Sequence, residues 1–346
     1  MSIDSQFQAA AAAQLAGDFA RAEQLYRALV AERPLWANHN LGVLHTSLGR
    51  FEAAEQAYLA ALEIDPAAAF PRHALSRLWL AQGRYAEAWP LFEARREIPS
   101  LNIPAPVLPY PEWRGEDLTG KRLLVLSEQG IGDQIQLARF FPDLRARGAE
   151  ITYFSLASLA RLLDGRGAKI LTSVPAGRAP AADYWILSFS LPLRLGVTRQ
   201  TLSGGAYLEA DGPRTGGVGV VTRGNPGHAN DRNRSLSGPA ADRLAALGRD
   251  LTPEATGARD FHHTARIVAG LDLVIAVDTS VAHLAGAMGK PCWVLLPAMD
   301  VDWRWGLSGD ATPWYDSLKL YRQETAGDWA PVLDQVEADL AALGLG

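Results

Sequence analysis

Three short turns constrain the first third of this chain more than any other feature. Gly17-Asp18-Phe19, Gly49-Arg50-Phe51 and Gly83-Arg84-Tyr85 recur at spacings of 32 and 34 residues. Each is followed by an alanine (Ala22, Ala54, Ala88) and, four residues later, by an aromatic (Tyr26, Tyr58, Phe92). Alanine lets two helices approach closely, and the aromatic fills the groove between successive units. A period of this length with helix-forming residues between the turns predicts a stack of helical hairpins over residues 3–96. Pro34 and Pro66 close the first two units.

Residues 97–120 hold the run IPSLNIPAPVLPYPEW, which predicts an extended proline-rich connector. The pattern then changes to alternating strands and helices. KRLLVLS, ITYFSL, Lys169–Leu171 and Tyr184–Leu187 read as strands, with helices over Gly132–Arg147 and Ser158–Leu163. A second series begins at Gly217–Val221 and continues through LDLVIAV and CWVLLP to an amphipathic helix over Trp329–Leu343. The fold class expected is therefore α + α/β: helical hairpins, then two Rossmann-like domains over residues 121–211 and 212–346.

Charge and cysteine content narrow the setting. With 33 basic and 38 acidic residues the net charge is −5, so there is no electrostatic footprint for nucleic acid. The single Cys292 excludes an intramolecular disulfide, and the amino terminus lacks the basic-then-apolar pattern of a secretory signal. No apolar run approaches the ~20 residues of a membrane span. A cytoplasmic protein without a transmembrane segment is expected. His262-His263 are adjacent and no carboxylate pair has ligand spacing, so no metal and no resident cofactor are expected.

Four strings carry candidate chemistry. In LDLVIAVDTSVAHLAGAMGKP, an apolar strand turns through Asp278, Thr279 and Ser280 into a small-residue helix with His283 on its first turn. Free backbone N–H groups, hydroxyls and the helix dipole then meet where an anion could sit. In SEQGIGDQIQLARF, Gly130 and Gly132 permit a tight strand-to-helix turn, and Asp133 sits at the helix start. Asp133 there is either a general base or only a cap of its own helix. The spacing lacks the full GxGxxG of dinucleotide binders. TRGNPGHANDRNRSL concentrates Arg223, His228, Arg232 and Arg234 beyond a strand, and guanidinium groups suit diphosphate oxygens. Trp303, Trp305, Trp314 and Tyr315 crowd the loop after CWVLLP, either stacking on a nucleoside or sugar or filling the gap between domains.

These residues carry two resemblances. The repeat is similar to the tetratricopeptide pattern. VDTSVAHLAGAMGKP resembles the nucleotide-sugar site in the carboxyl-terminal domain of glycosyltransferase family 9, the ADP-heptose–lipopolysaccharide heptosyltransferases. EQGIGD, NDRNRS, DWRW and TPWY resemble, in the same order, tetratricopeptide proteins with a heptosyltransferase-like carboxyl half. The resemblance implies a compact GT-B fold and a metal-independent glycosyltransferase whose nucleotide sugar is a substrate and not a cofactor. It implies that Asp133 is the base, with Gly130, Gly132 and Gln134 at the acceptor-side turn. Donor contacts would come from Arg234, Arg232, Asp278, Thr279, Ser280 and His283. The acceptor, a protein or a glycan, would be recruited by the repeat. The passage from Ser235 to Asp260 is shorter than the resemblance implies, with room for one helix and a very short strand. That shortening favours the alternative, a non-catalytic repeat scaffold with a degenerate transferase-like half.

Overall fold

The structure, a computed structural model, describes residues 3–103, 105–174 and 179–345. It divides into two compact units, Met1–Ala105 and Pro106–Gly346.

The first unit is three helical hairpins: α1 (Ile3–Leu15) with α2 (Phe19–Leu29), α3 (Pro34–Ser47) with α4 (Phe51–Ile64), and α5 (Ala69–Ala81) with α6 (Tyr85–Phe92). The repeated positions do what their chemistry predicts. Ala22, Ala54 and Ala88 are fully buried where helices touch, and Tyr26, Tyr58 and Phe92 are buried between them. Gly42 lies directly under the Tyr58 ring, where any side chain would collide with it. Thr46 Oγ1 and the Tyr58 hydroxyl are 3.1 Å apart and fix the ring's outer edge. Trp36 and Phe70, on the first helices of the second and third hairpins, form an edge-on pair at 5.7 Å and remain 42% and 39% exposed. His39 packs 6.0 Å from Phe70, and His73 packs 5.3 Å from Phe92. The proline-rich segment is not extended at its start, because Pro99–Leu101 forms a tight helical turn. Proline is tolerated there, since a first-turn N–H has no partner to lose.

The second unit holds two parallel sheets. In the first, β1 (Arg122–Leu126), β2 (Glu150–Phe154), β3 (Ala168–Leu171) and β4 (Tyr184–Leu187) lie in the order β3-β2-β1-β4. Its helices are α7 (Ile131–Leu137), α8 (Phe141–Ala146), α9 (Ala160–Leu163) and α10 (Leu191–Leu195). The single helix expected over Gly132–Arg147 is broken between α7 and α8, because Pro142 cannot donate the hydrogen bond that would continue it.

The second sheet contains β5 (Val218–Val221), β6 (Arg249–Asp250), β7 (Leu273–Val277), β8 (Cys292–Leu296) and β9 (Leu318–Arg322), in the order β6-β5-β7-β8-β9. Its helices are α11 (Asp231–Arg234), α12 (Gly238–Ala246), α13 (Pro253–Thr256), α14 (Phe261–Gly270), α15 (Ser280–Ala287) and α16 (Ala330–Leu343). All pairings are parallel. Strands β7 and β8 are buried at every position, as continuous apolar runs covered on both faces must be. The core joins Val218, Ile275, Leu295 and Tyr321 of the strands to Leu333, Val336 and Leu340 of α16. In each sheet the chain leaves its first strand one way and returns to the other side. These reversals put switch points at the carboxyl ends of β1 and β5, the positions where parallel α/β sheets take ligands.

Candidate functional site

The turn after β1 brings the first half to the site. Gln129 holds a left-handed backbone (φ 60°), and Gly130 leads into α7. Asp133, in the first turn of α7, accepts the Gly130 N–H at 2.8 Å and so caps its own helix. Gly132 is required by packing. A Cβ there would lie 2.6 Å from Cδ2 of His283, so only glycine lets α7 rest on α15. That contact joins the turn after β1 to the turn after β7. Gln134 points elsewhere: its Oε1 accepts from Ser155 Oγ (3.0 Å) and the Leu156 N–H (3.1 Å), fastening α7 to the end of β2.

The turn after β7 supplies the second half. Thr279 precedes α15 with no side-chain hydrogen bond capping the helix, and its hydroxyl is buried without a partner. Ser280 opens the helix and is partly buried. Arg234 reaches this turn from α11: Nη1 donates to the Asp278 carbonyl at 2.7 Å, and Nε lies 3.3 Å from Asp231 Oδ1. Asn230 Nδ2 donates to the Asp300 carbonyl at 2.9 Å, tying the basic loop to the β8–β9 loop. Arg232, two residues before Arg234, is exposed.

Between the halves stands Arg304, which the sequence offered only as part of the DWRW string. It is 4% exposed. Its Nη1 donates to both carboxylate oxygens of Asp302 at 2.9 Å, Nη2 pairs with Asp133 and Nε donates to Gln136 Oε1. Its plane lies 4.4 Å over the Trp303 ring. Arg139 answers from the first half, donating to the carbonyls of Gln136 (3.0 Å), Ser203 (2.9 Å) and Trp314 (2.8 Å). Its guanidinium also lies 4.9 Å over Tyr315. Trp303, Trp305, Trp314 and Tyr315 are all buried, so the aromatic loop packs the space between the two sheets.

Burial sets the protonation states. His283 Nδ1 is 2.9 Å from the Tyr315 hydroxyl, and its ring packs 5.2 Å from Trp305. Burial, with Arg304 and Arg139 nearby, pushes it down to about 3, so the imidazole is neutral. Burial and the Asp302 charge raise Asp278 to about 6. The Trp305 indole N–H is felt by that carboxylate without closing a hydrogen bond to it. Asp133 is also raised, by burial first, with Arg304 pulling the other way. Asp133, Asp278, His283 and Arg234 are thus brought to one place, together with Tyr315 of the aromatic loop and with Asp302 and Arg304, to which the DWRW string assigned no role. Among the described residues, no group of His, Cys, Asp and Glu is placed to hold a metal ion, and no helix is long and apolar enough to cross a membrane.

The tetratricopeptide repeat family model matches residues 37–67, which cover most of α3 and all of α4. The chain is similar to protein FlbA of Caulobacter vibrioides, 26% identical over 369 residues, covering 88% of this chain and 61% of that protein. It therefore spans less than two thirds of that relative's length. Among solved structures it is similar to a glycosyl transferase family 9 protein from Veillonella parvula, with a TM-score of 0.42 at 13% identity, over 68% of this chain and 92% of that one. A Thermobaculum terrenum O-GlcNAc transferase variant aligns over 99% of this chain and 91% of its own, at 16% identity and a TM-score of 0.27.

Proposed function

We propose that this protein transfers a glycosyl group from a nucleotide-diphosphate sugar to a protein or glycan acceptor selected by the helical repeat. The observation that carries the reading is the amino end of α15. It is uncapped by any side chain, it presents an unpartnered Thr279 hydroxyl, and the Arg234 guanidinium is docked on the adjacent Asp278 carbonyl. First-turn N–H groups, the helix dipole and a guanidinium are what a diphosphate needs. Neutralised in this way, the leaving diphosphate needs no metal in the scheme. Asp133 comes from the facing half. Burial raises its proton affinity, as a base acting on an acceptor hydroxyl requires. The exposed pair Trp36 and Phe70 offers the acceptor a surface on the repeat.

One observation favours the second reading, a non-catalytic repeat scaffold. Asp133 is held by Arg304 and by its own helix terminus, and a carboxylate so engaged cannot take a proton until the guanidinium leaves. The two readings separate in one experiment. The full chain is titrated calorimetrically with nucleotide sugars, and nucleotide release is followed in the presence of acceptor. Binding with release supports the transferase, whereas binding without release supports the scaffold. Binding of no nucleotide defeats the donor-site assignment.

A further inference from the structure

A second guanidinium borders the α15 turn. Arg304 pairs with Asp133, whose neighbour Gly132 abuts the His283 ring, and the next residue, Trp305, packs on that ring at 5.2 Å. Arg304 is therefore bracketed by residues seated on the first turn of α15. Two buried hydrogen-bond donors of this site meet no acceptor: the Gln136 Nε2 amide, whose own Oε1 accepts from Arg304, and the Thr279 hydroxyl. Gln136 is 0% exposed, so water outside the protein does not satisfy it. Unmatched buried donors beside two guanidiniums and a helix amino terminus describe a place short of acceptor oxygens. The carboxylates of Asp302 and Asp133 supply part of that need, since nearly all the Arg304 N–H groups are turned to them and to Gln136.

We propose that Arg304 is a diphosphate-binding residue held in reserve by Asp302 and Asp133. An entering diphosphate replaces the two carboxylates on the guanidinium and takes up the unmatched donors. Asp133 is released only when the donor is in place, which keeps the base idle in its absence. The inference rests on the donor-site reading above and adds to it the residue that couples donor binding to the base.

The test uses inorganic pyrophosphate and calorimetry on the full chain. Arg304→Gln should bind pyrophosphate at least tenfold more weakly than the unaltered protein, with Arg304→Lys between them. Asp302→Asn should bind it several-fold more tightly, because the competing carboxylate is gone. Arg243→Gln removes a charge from an exposed pair with Asp334 and Glu337 and should change nothing. A merely structural arginine predicts the opposite for Asp302→Asn, since losing the clamp would loosen the site. If Arg304→Gln does not fold, the lysine and Asp302→Asn variants carry the test. Equal binding by the unaltered protein and Arg304→Gln, or weaker binding by Asp302→Asn, overturns this inference alone. Absence of binding by the unaltered protein, to pyrophosphate and to every nucleoside diphosphate, overturns the donor site with it.

Discussion

Acidification should loosen the repeat unit before it affects anything else there. His39 and His73 are half-buried on α3 and α5, and the loss of solvent around their rings lowers them to about 4 and about 3. The Nδ1 atoms of both rings are without a partner. In the unfolded chain each titrates near ~6.5. Between the two values the unfolded state binds a proton that the native state refuses, so stability falls as pH drops below about 6.5. At pH 5 the unfolded form is favoured by roughly 1.5 pH units per histidine, or about 2 kcal/mol each and about 4 kcal/mol together relative to pH 7. The figure hardly depends on how far below 5 the native values lie. His45, also lowered by burial, acts in the same direction. Amide exchange of peptides from α3 and α5, corrected for intrinsic rates, reads the opening free energy of this unit at both pH values. His39→Phe with His73→Phe keeps the ring contacts and should remove most of the drop. A fall below about 1 kcal/mol, or an equal fall in the double variant, would refute the reasoning.

Three further outcomes follow from the α/β unit. Gly132→Ala places a methyl group 2.6 Å from the His283 ring, so thermal unfolding should show a loss of about 1–3 kcal/mol from overpacking. Arg234→Ala should weaken nucleoside diphosphate binding about tenfold or more, the worth of a charge-assisted hydrogen bond of ~1.5–3 kcal/mol; an unchanged dissociation constant would return the arginine to a role within its own loop. Asp133→Asn should slow glycosyl transfer without weakening nucleotide binding, and an asparagine variant with full turnover would leave Asp133 only its helix cap.

Local pattern carried much of this structure. The glycine turns, alanines and aromatics of the repeat act between neighbouring helices, so their period predicts the hairpins directly. The apolar runs of β7 and β8 are equally plain, because strands buried on both faces have no polar alternation to obscure them. Strand β9 was not legible: Leu318–Arg322 alternates leucine with charge just after a tryptophan-rich loop and reads as its continuation. The site divides in the same way. Asp278, Thr279 and His283 share one turn and announce themselves together. Arg304 meets Asp133 from 171 residues away, and Arg139 reaches the Trp314 carbonyl across 175. Pairings over such distances leave no local trace, and an arginine between two tryptophans looks the same whether it faces water or a carboxylate. The two fates of Asp133, base and cap, also could not be parted by sequence. The structure adds a second partner, the Arg304 guanidinium, to the capped Gly130 N–H.

The claim that the α15 turn is a nucleotide site is tested most directly by calorimetric titration of the full chain with nucleoside diphosphates and their sugars. The protein and its Thr279→Leu variant are compared after matched thermal unfolding. The account predicts that at least one nucleotide binds, that its affinity is lost when leucine fills the turn, and that the unfolding temperature barely moves. A protein that binds no nucleotide, or one whose affinity survives Thr279→Leu, would contradict it.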